Sequence, residues 1–277
     1  MFKATEESIE GGAGSLFIRA WRPLTTPRAV VGICHGFNAH SGMYAWCGQQ
    51  FAQKGMATYA LDLRGRGRSD GERFYVEHFE DYVDDLKRLL KLAKVREPGR
   101  PIVLLGHSAG GVIACLYALA HQSQIAGLIC EDFAFEVPAP EIALAVLKGI
   151  SHVVPHAHAL KLKNEDFSRD AQVVKVMNED PLIARESQPF ATMAAIVRAD
   201  ERLKTAFPQI TLPVLIIHGT ADKAARPNGS QRFYEHAGSN DRTLKLYEGR
   251  YHDPLNDLGK EEVFADIVAW IETRLPT

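Results

Sequence analysis

The segment Pro101 to Tyr117 (PIVLLGHSAGGVIACLY) constrains the fold of this chain most, because its character changes at one residue, Ser108. The apolar run Ile102 to Leu105 predicts a strand that is buried on both faces. The apolar stretch Val112 to Ala120 predicts a helix. Between them, Gly106 to Gly110 matches the pattern G-x-S-x-G, whose glycines let a strand turn sharply into a helix. Such a turn pushes the serine outward.

This strand, turn and helix predict a nucleophile elbow at Ser108. The backbone N–H of Ala109 lies at the positive end of the helix, where it can hold a developing oxyanion. A bare G-x-S-x-G also occurs by chance in ordinary turns, so the flanking strand and helix are what favour the functional interpretation. A second oxyanion donor must come from a loop after an earlier strand. The strand Ala29 to Cys34 leads into such a loop, which places the N–H of Phe37 for this role.

Two later strands end in side chains that can activate a serine. The strand Pro213 to Ile217 leads to Asp222, and the strand Thr243 to Tyr247 leads to His252. The carboxyl ends of parallel strands share one edge of a sheet, which is also where Ser108 emerges. A serine needs an imidazole to take its proton, and the imidazole needs a carboxylate to fix its tautomer. The order Ser108, Asp222, His252 is that of an α/β-hydrolase and predicts a catalytic triad.

The alternation of strands and helices predicts an α/β class fold, the α/β-hydrolase fold, with a mostly parallel central sheet and helices on both faces. Residues 1–132 and 209–277 are expected to form the core domain. Residues 133–208 lack the alternation and contain several prolines, which predicts a helical cap, or lid, inserted at the carboxyl edge. Asp132 ends the strand before this insertion and is the alternative triad acid.

One part of the predicted cap is apolar nearly all round, from Ile142 to Leu147 and again at Ile150, Val153 and Val154. Either a fully buried helix or an apolar lid surface explains this pattern. If the segment is an apolar lid surface, we expect it to contact a membrane transiently, because an enzyme that acts on a single-chain lipid must extract that lipid from a lipid surface.

Composition and charge exclude several classes. The 277 residues are 46% hydrophobic, enough for a large core, and the formal net charge of −2 has no basic stripe, which excludes nucleic acid as an expected partner. The first residues resemble no targeting segment and no apolar run is long enough to span a membrane, so we expect a soluble cytoplasmic protein. The sequence carries no signal for an oligomeric state.

Three sets of residues suggest chemistry that their context does not support. The four cysteines are far apart without C-x-x-C spacing and are expected to be reduced, buried thiols. The glycine-rich loop with Arg64, Arg66 and Arg68 lacks a phosphate-binding pattern, so its arginines are expected to be solvated or ion-paired. The histidines at positions 152, 156 and 158 have no carboxylate or cysteine to complete a ligand set. We therefore predict no metal and no organic cofactor.

With these motifs, the chain resembles the monoacylglycerol lipase-like serine hydrolases, which include enzymes known as lysophospholipases. The resemblance extends from about Val30 to Ile271. Besides the elbow it rests on the following segments: His35-Gly36, His40-Ser41-Gly42 with Tyr44, Gly65 to Arg73, Leu162, Ser168-Arg169-Asp170, Asn178 to Leu182, Leu244 to Gly249, and Tyr251-His252.

This resemblance implies that Ser108, Asp222 and His252 form the triad and that the N–H groups of Phe37 and Ala109 form the oxyanion hole. The family acts on single-chain acylglycerols and related esters, with an apolar cap that accepts the acyl chain. Phe37 departs from the smaller residue often found there, which bears on the width of the acyl pocket. A short-chain carboxylesterase or thioesterase shares the chemistry and remains an alternative. A non-catalytic ligand-binding protein with this fold is a second one, which a missing triad residue would favour.

Overall fold

The protein is described by a computed structural model over residues 3–136 and 139–275. Val137 and Pro138, which belong to the predicted cap, lie outside the described residues. The strands in chain order are β1 (Thr5–Gly11), β2 (Gly14–Trp21), β3 (Ala29–Cys34), β4 (Met56–Leu61), β5 (Ile102–His107), β6 (Gly127–Glu131), β7 (His158–Leu160), β8 (Gln188–Pro189), β9 (Val214–Gly219) and β10 (Arg242–Tyr247). The helices are α1 (Ala45–Gln53), α2 (Phe79–Arg96), α3 (Ala109–His121), α4 (Glu141–Ile150), α5 (Ala171–Glu179), α6 (Phe190–Ala206), α7 (Pro227–His236) and α8 (Lys260–Glu272).

Within the described ranges, eight strands form one sheet in the order β1-β2-β4-β3-β5-β6-β9-β10. The strands β1 and β2 pair as an antiparallel hairpin, and β2 joins β4 antiparallel. All other neighbours in the sheet are parallel. Every residue of β3, β4, β5, β6 and β9 is buried, which explains why each is a continuous apolar run in the sequence. The predicted mostly parallel sheet is confirmed.

Helices cover both faces of this sheet. Val30 belongs to one apolar cluster with Leu86 of α2 and Val112 of α3. The next residue, Val31, belongs to the opposite cluster with Phe51 of α1 and Ile267 of α8. Successive residues of a strand point to opposite faces, so a strand that is buried twice needs helices on both sides. The four cysteines are buried and free, as predicted.

The chain between β6 and β9 contains α4, α5 and α6 and a short antiparallel pair, β7 with β8, which the sequence did not predict. Helix α6 contributes Met193 and Leu203 to the apolar cluster on which α3 also packs. The division into a core and a cap at residues 133–208 therefore stays a prediction, since part of the insertion packs as core.

Helix α4 is the clearest departure from the buried-helix alternative. None of its residues is buried, and Ile142 is 81% exposed. Val153, just after the helix, is 80% exposed. The sequence could not show whether α4 is buried, because a helix that is apolar all round is buried only where other elements cover it. In the structure α4 packs mainly on α6. The alternative of a fully buried helix is wrong.

No helix in the described part of the chain is long and apolar enough to cross a membrane.

Candidate active site

Ser108 stands at the turn between β5 and α3, as the elbow pattern predicts. Its backbone has φ 54° and ψ −122°, a combination that is strained for a residue with a side chain. The flanking glycines permit the turn: a Cβ added at Gly106 would lie 2.4 Å from the carbonyl oxygen of Gly110, and one at Gly110 would lie 2.1 Å from that of Cys34. The sharp turn therefore needs glycine at both positions.

The structure brings the three predicted side chains together. His252 Nε2 lies 2.8 Å from Ser108 Oγ, and His252 Nδ1 lies 2.7 Å from Asp222 Oδ2. An ionised Asp222 accepts the Nδ1–H, so the tautomer leaves Nε2 free to accept the serine proton. Ser108 and His252 are only 4% and 1% exposed, and the side chain of Asp222 is 0% exposed. The serine, imidazole and carboxylate form one continuous hydrogen-bonded chain.

Asp222 is held as an anion by its surroundings. Its Oδ1 accepts the backbone N–H groups of Ala224 and Ala225 at 2.7 and 3.0 Å. His218 Nε2 lies 3.0 Å from its Oδ2. Burial opposes the charge, but His252 and His218 together hold the pKa of Asp222 far below its ordinary value. A carboxylate that stays ionised is what the imidazole needs for orientation.

Asp132, the alternative acid, shares His218 with Asp222 but accepts a hydrogen bond from a different backbone group. Its Oδ1 accepts the backbone N–H of Gly219 at 3.0 Å and lies 3.6 Å from His218 Nε2. Complete burial raises the pKa of Asp132 well above its ordinary value, and the nearby Asp222 carboxylate raises it further. The structure joins Asp222 to His252 and leaves Asp132 to support the loop that begins after β9.

The predicted oxyanion donors belong to two segments next to the serine. Ala109 is the first residue of α3, so its N–H belongs to the unpaired end of that helix. A Cβ added at Gly36 would lie 2.7 Å from Ser108 Cβ, so the loop containing Phe37 passes directly beside the serine. His35 fixes this loop: its Nε2 accepts the N–H of Leu63 at 3.0 Å and its Nδ1–H donates to Gly36 O at 2.7 Å. Burial lowers the pKa of His35 to about 4, which keeps the ring neutral.

A small apolar pocket opens on the serine. Its volume is about 70 Å³. It is lined by Phe37, Ser108, Ala134, Phe135, Glu136, Leu160, Leu162, Met193, Ile196, Ala224, Ala225 and His252. Residues 133–208 supply seven of these twelve positions, so the predicted cap segment forms most of the wall.

One group of side chains in residues 3–136 and 139–275, Asp132, Asp222 and His252, brings three atoms able to bind a metal within 4.8 Å of one another. Two of these atoms are already joined by the hydrogen bond between Asp222 and His252. Two of the three histidines in the predicted cap contact groups other than a metal ligand set: His156 contacts Glu72 and His158 contacts Ser187 O. We assign no ion to either group.

Sequence reasoning missed several supporting residues. His107, the variable residue before the serine, donates from Nε2 to the carbonyl of His252 at 2.9 Å and so ties the elbow to the histidine loop. Arg66 was expected to be solvated or ion-paired, and it is completely buried and paired with Glu186 of the insertion. Arg64 and Arg68 pair with Asp85 and Glu6. The sequence could predict that these arginines form ion pairs. It could not predict which residues they pair with, because partners distant along the chain leave no local pattern.

The fold and the enzyme class are those of a serine ester hydrolase with the α/β-hydrolase fold. Residues 25–259 match the family model described as "Serine aminopeptidase, S33". The chain belongs to this family and, within it, is similar to the monoacylglycerol lipases.

Three comparisons carry this assignment. The human monoglyceride lipase is 33% identical over 95% of this chain and 88% of its own length. The monoacylglycerol lipase of Mycolicibacterium smegmatis is 30% identical over 98% of both chains. The crystal structure of the Paleococcus ferrophilus monoacylglycerol lipase superposes with a TM-score of 0.84 at 27% identity, over 94% of this chain and 99% of that one.

Proposed function

We propose that this protein hydrolyses carboxylic esters of single-chain lipids, monoacylglycerols first among them, through an acyl-enzyme on Ser108. The observation that carries the chemistry is the pair of contacts from His252, 2.8 Å to Ser108 Oγ and 2.7 Å to Asp222 Oδ2. The relatives named as monoacylglycerol and monoglyceride lipases, aligned over nearly the whole chain, support the substrate class.

In the proposed mechanism, Ser108 Oγ attacks the ester carbonyl while His252 Nε2 accepts its proton. The N–H groups of Phe37 and Ala109 donate to the oxyanion of the tetrahedral intermediate. The protonated imidazole then gives its proton to the leaving alcohol, and Asp222 stabilises the imidazolium during this interval. Water, activated by the same imidazole, releases the acid from the serine. The reaction needs no cofactor.

The pocket supports an acyl group but limits its size. Its wall is mostly apolar, yet about 70 Å³ is small beside the roughly 300 Å³ or more of pockets for drug-sized ligands. This volume favours a second candidate function, a short-chain carboxylesterase or thioesterase. A larger cavity of about 910 Å³ shares Glu136 with the pocket and is lined in part by Leu144 of α4 and Val197 of α6. We propose that a long acyl chain extends past Glu136 into this second cavity.

Hydrolysis rates on monoacylglycerols and p-nitrophenyl esters of increasing chain length separate the two candidates. The lipase proposal expects kcat/KM to rise by about 10-fold or more from two to eight or more acyl carbons, because each buried methylene adds binding free energy. Leu144→Trp, which narrows the larger cavity, is expected to lower kcat/KM for long chains and leave butyrate esters unchanged. A steady decline beyond the shortest acyl groups would favour the short-chain esterase and contradict the lipase.

We further propose that the exposed apolar side chains of α4 and of the residues directly after it make transient contact with lipid surfaces. Ile142, Val146, Val153 and Val154 are 81%, 54%, 80% and 44% exposed and lie within thirteen residues of one another. Exposed apolar side chains at four positions of one short segment are unfavourable in water, and insertion into a lipid surface removes that cost.

Binding to phosphatidylcholine vesicles tests this contact. The double variant Ile142→Asp/Val153→Asp is expected to weaken vesicle binding by about 10-fold or more, because two apolar side chains lose their burial in lipid. The control is Val95→Asp at the end of α2, where a valine of similar exposure (71%) lies outside residues 142–154. Equal vesicle binding by the double variant and the unchanged protein would contradict the proposal, provided that both hydrolyse a soluble butyrate ester equally fast.

Three sequence-based expectations remain proposals: the core at residues 1–132 and 209–277 with a cap at 133–208, a cytoplasmic location, and the absence of nucleic acid as a partner.

A further inference from the structure

A buried polar cluster joins the predicted cap to the loop beside the serine. It consists of Arg66, Glu186 and Gln188 together with the backbone of Asn38, and we call it the Glu186 cluster. The side chains of Arg66 and Gln188 are 0% exposed and that of Glu186 is 1% exposed. Burying a charge pair so completely costs desolvation free energy, and such pairs are often no more stabilising than apolar residues of the same size. Stability alone therefore does not account for this cluster.

Glu186 Oε1 is the centre of the cluster. It accepts the backbone N–H of Asn38 at 2.8 Å and the Nε2–H of Gln188 at 2.8 Å. It also accepts the Nη1–H of Arg66. Arg66 Nη2 in turn donates to Gln188 Oε1 at 2.7 Å. One oxygen atom thus connects the insertion, the glycine-rich loop and the loop after β3.

Asn38 is the residue immediately after Phe37, the proposed second oxyanion donor. Its φ of 50° lies in the left-handed region, which asparagine adopts more readily than most residues with a side chain. The insertion holds Asn38 at two points, through Glu186 on the backbone N–H and through Asn164 Oδ1, which accepts the Asn38 Nδ2–H at 2.9 Å. The peptide plane before Asn38 shares the Cα of Phe37 with the plane that carries the Phe37 N–H.

The same cluster also holds the ring of Phe37. The guanidinium carbon of Arg66 lies 4.4 Å from the centre of that ring, a cation–π distance. The Phe37 side chain is 5% exposed and lines the pocket at Ser108. Arg66 is itself fixed by Glu186, so one carboxylate sets both the backbone and the side chain of Phe37.

We propose that Glu186 is a positioning residue: from the insertion it fixes the peptide after Phe37 and thereby places the second oxyanion donor. This inference rests on the proposed function, in which the Phe37 N–H donates to the oxyanion. Its consequence is that transition-state stabilisation depends on the docked position of the insertion. Displacement of the segment around Glu186 leaves the serine, histidine and aspartate in contact but releases the oxyanion loop.

Glu186→Ala tests the inference, with Arg73→Ala as the matched control. Arg73 ties the same segment to the core through Leu182 O at 2.8 Å without touching Asn38. Loss of one oxyanion donor lowers kcat by about 10²- to 10³-fold. For partial displacement of the Phe37 N–H we expect Glu186→Ala to lower kcat on p-nitrophenyl butyrate by about 30-fold, with KM changed less than about 3-fold. Arg73→Ala is expected to keep kcat within about 3-fold.

Inhibition by a trifluoromethyl ketone distinguishes positioning from general damage. The ketone adds to a serine as a tetrahedral adduct whose oxyanion occupies the hole, so its Ki is expected to rise by about the factor by which kcat falls. Glu186→Gln keeps an oxygen acceptor for the Asn38 N–H and is expected to restore most of kcat. If the unsubstituted protein is active and Glu186→Ala retains its kcat and Ki, the inference is overturned. If the unsubstituted protein itself does not hydrolyse esters, the proposed function is overturned.

A third variant covers the case in which Glu186→Ala does not fold because Arg66 loses its partner. Arg66→Leu/Glu186→Leu removes both charges and keeps an apolar filling, so the unpaired buried charge is avoided. It still leaves the Asn38 N–H without the carboxylate. We expect this folded double variant to show the same fall in kcat and the same rise in Ki, and unchanged values for both would overturn the inference.

Discussion

Ser108→Ala is expected to lower kcat for ester hydrolysis by about 10⁵- to 10⁶-fold, the loss found when the nucleophile of a triad is removed. The alanine cannot form an acyl-enzyme, and the oxyanion donors and the pocket act only on direct attack by water. Initial rates on p-nitrophenyl butyrate measure the effect. A variant that retains more than about 1% of kcat would contradict the assignment of Ser108 as nucleophile.

A matched glycine variant shows that such a loss is chemical rather than structural. Ser108 has φ 54° and ψ −122°, which strains any residue with a Cβ but not glycine. Ser108→Gly is therefore expected to unfold at a temperature at least as high as Ser108→Ala while being equally inactive. A lower unfolding temperature for the glycine variant would mean that the elbow is not strained.

Asp222→Asn is expected to lower kcat by about 10⁴-fold. The asparagine can present its NH₂ to His252 Nδ1, which favours the tautomer with the proton on Nε2, so the ring can no longer accept the proton of Ser108. The amide also carries no charge to stabilise the imidazolium. The rate on p-nitrophenyl butyrate, compared with the unfolding temperature of the same variant, measures this loss.

Asp132→Asn is the control, because Asp132 is the other buried acid at this edge. Burial raises the pKa of Asp132 well above its ordinary value. Its Oδ1 accepts the backbone N–H of Gly219 at 3.0 Å, and asparagine keeps a carbonyl oxygen for that hydrogen bond, so asparagine is a close substitute. We expect kcat to stay within about 10-fold. A loss of about 10⁴-fold in Asp132→Asn together with a mild effect of Asp222→Asn would transfer the role of the acid to Asp132.

Local patterns predicted the parts of the fold that local physics determines. The strand Ala29–Cys34 has the bounds that its apolar run indicates, because a strand buried on both faces is apolar along its whole length. The apolar residues Val263, Ile267 and Trp270 of α8 recur at helical spacing, and all three are buried. The nucleophile elbow could also be predicted from the sequence, because glycine is required where a Cβ has no room.

The sequence could place distant residues together only where strand ends share one edge of the sheet, as for Ser108 and His252, and other distant contacts could not be predicted. Arg66 and Glu186 are 120 positions apart, and nothing near either residue in the sequence indicates the other. The same limit explains the two open alternatives of the sequence analysis. Whether α4 is covered depends on which elements reach it, and whether Asp132 or Asp222 meets His252 depends on the path of a loop. Two acids at the ends of neighbouring strands satisfy the same pattern.

Labelling with a fluorophosphonate probe tests the central claim, an activated nucleophile at Ser108, most directly. The account predicts one covalent adduct per chain by intact mass, located by peptide mapping on the segment that contains Ser108 and absent in Ser108→Ala. His252→Ala is expected to label far more slowly, because its serine has no base 2.8 Å away. An unlabelled Ser108 in the folded protein, or an adduct on another residue, would contradict the account and favour a non-catalytic binding protein with this fold.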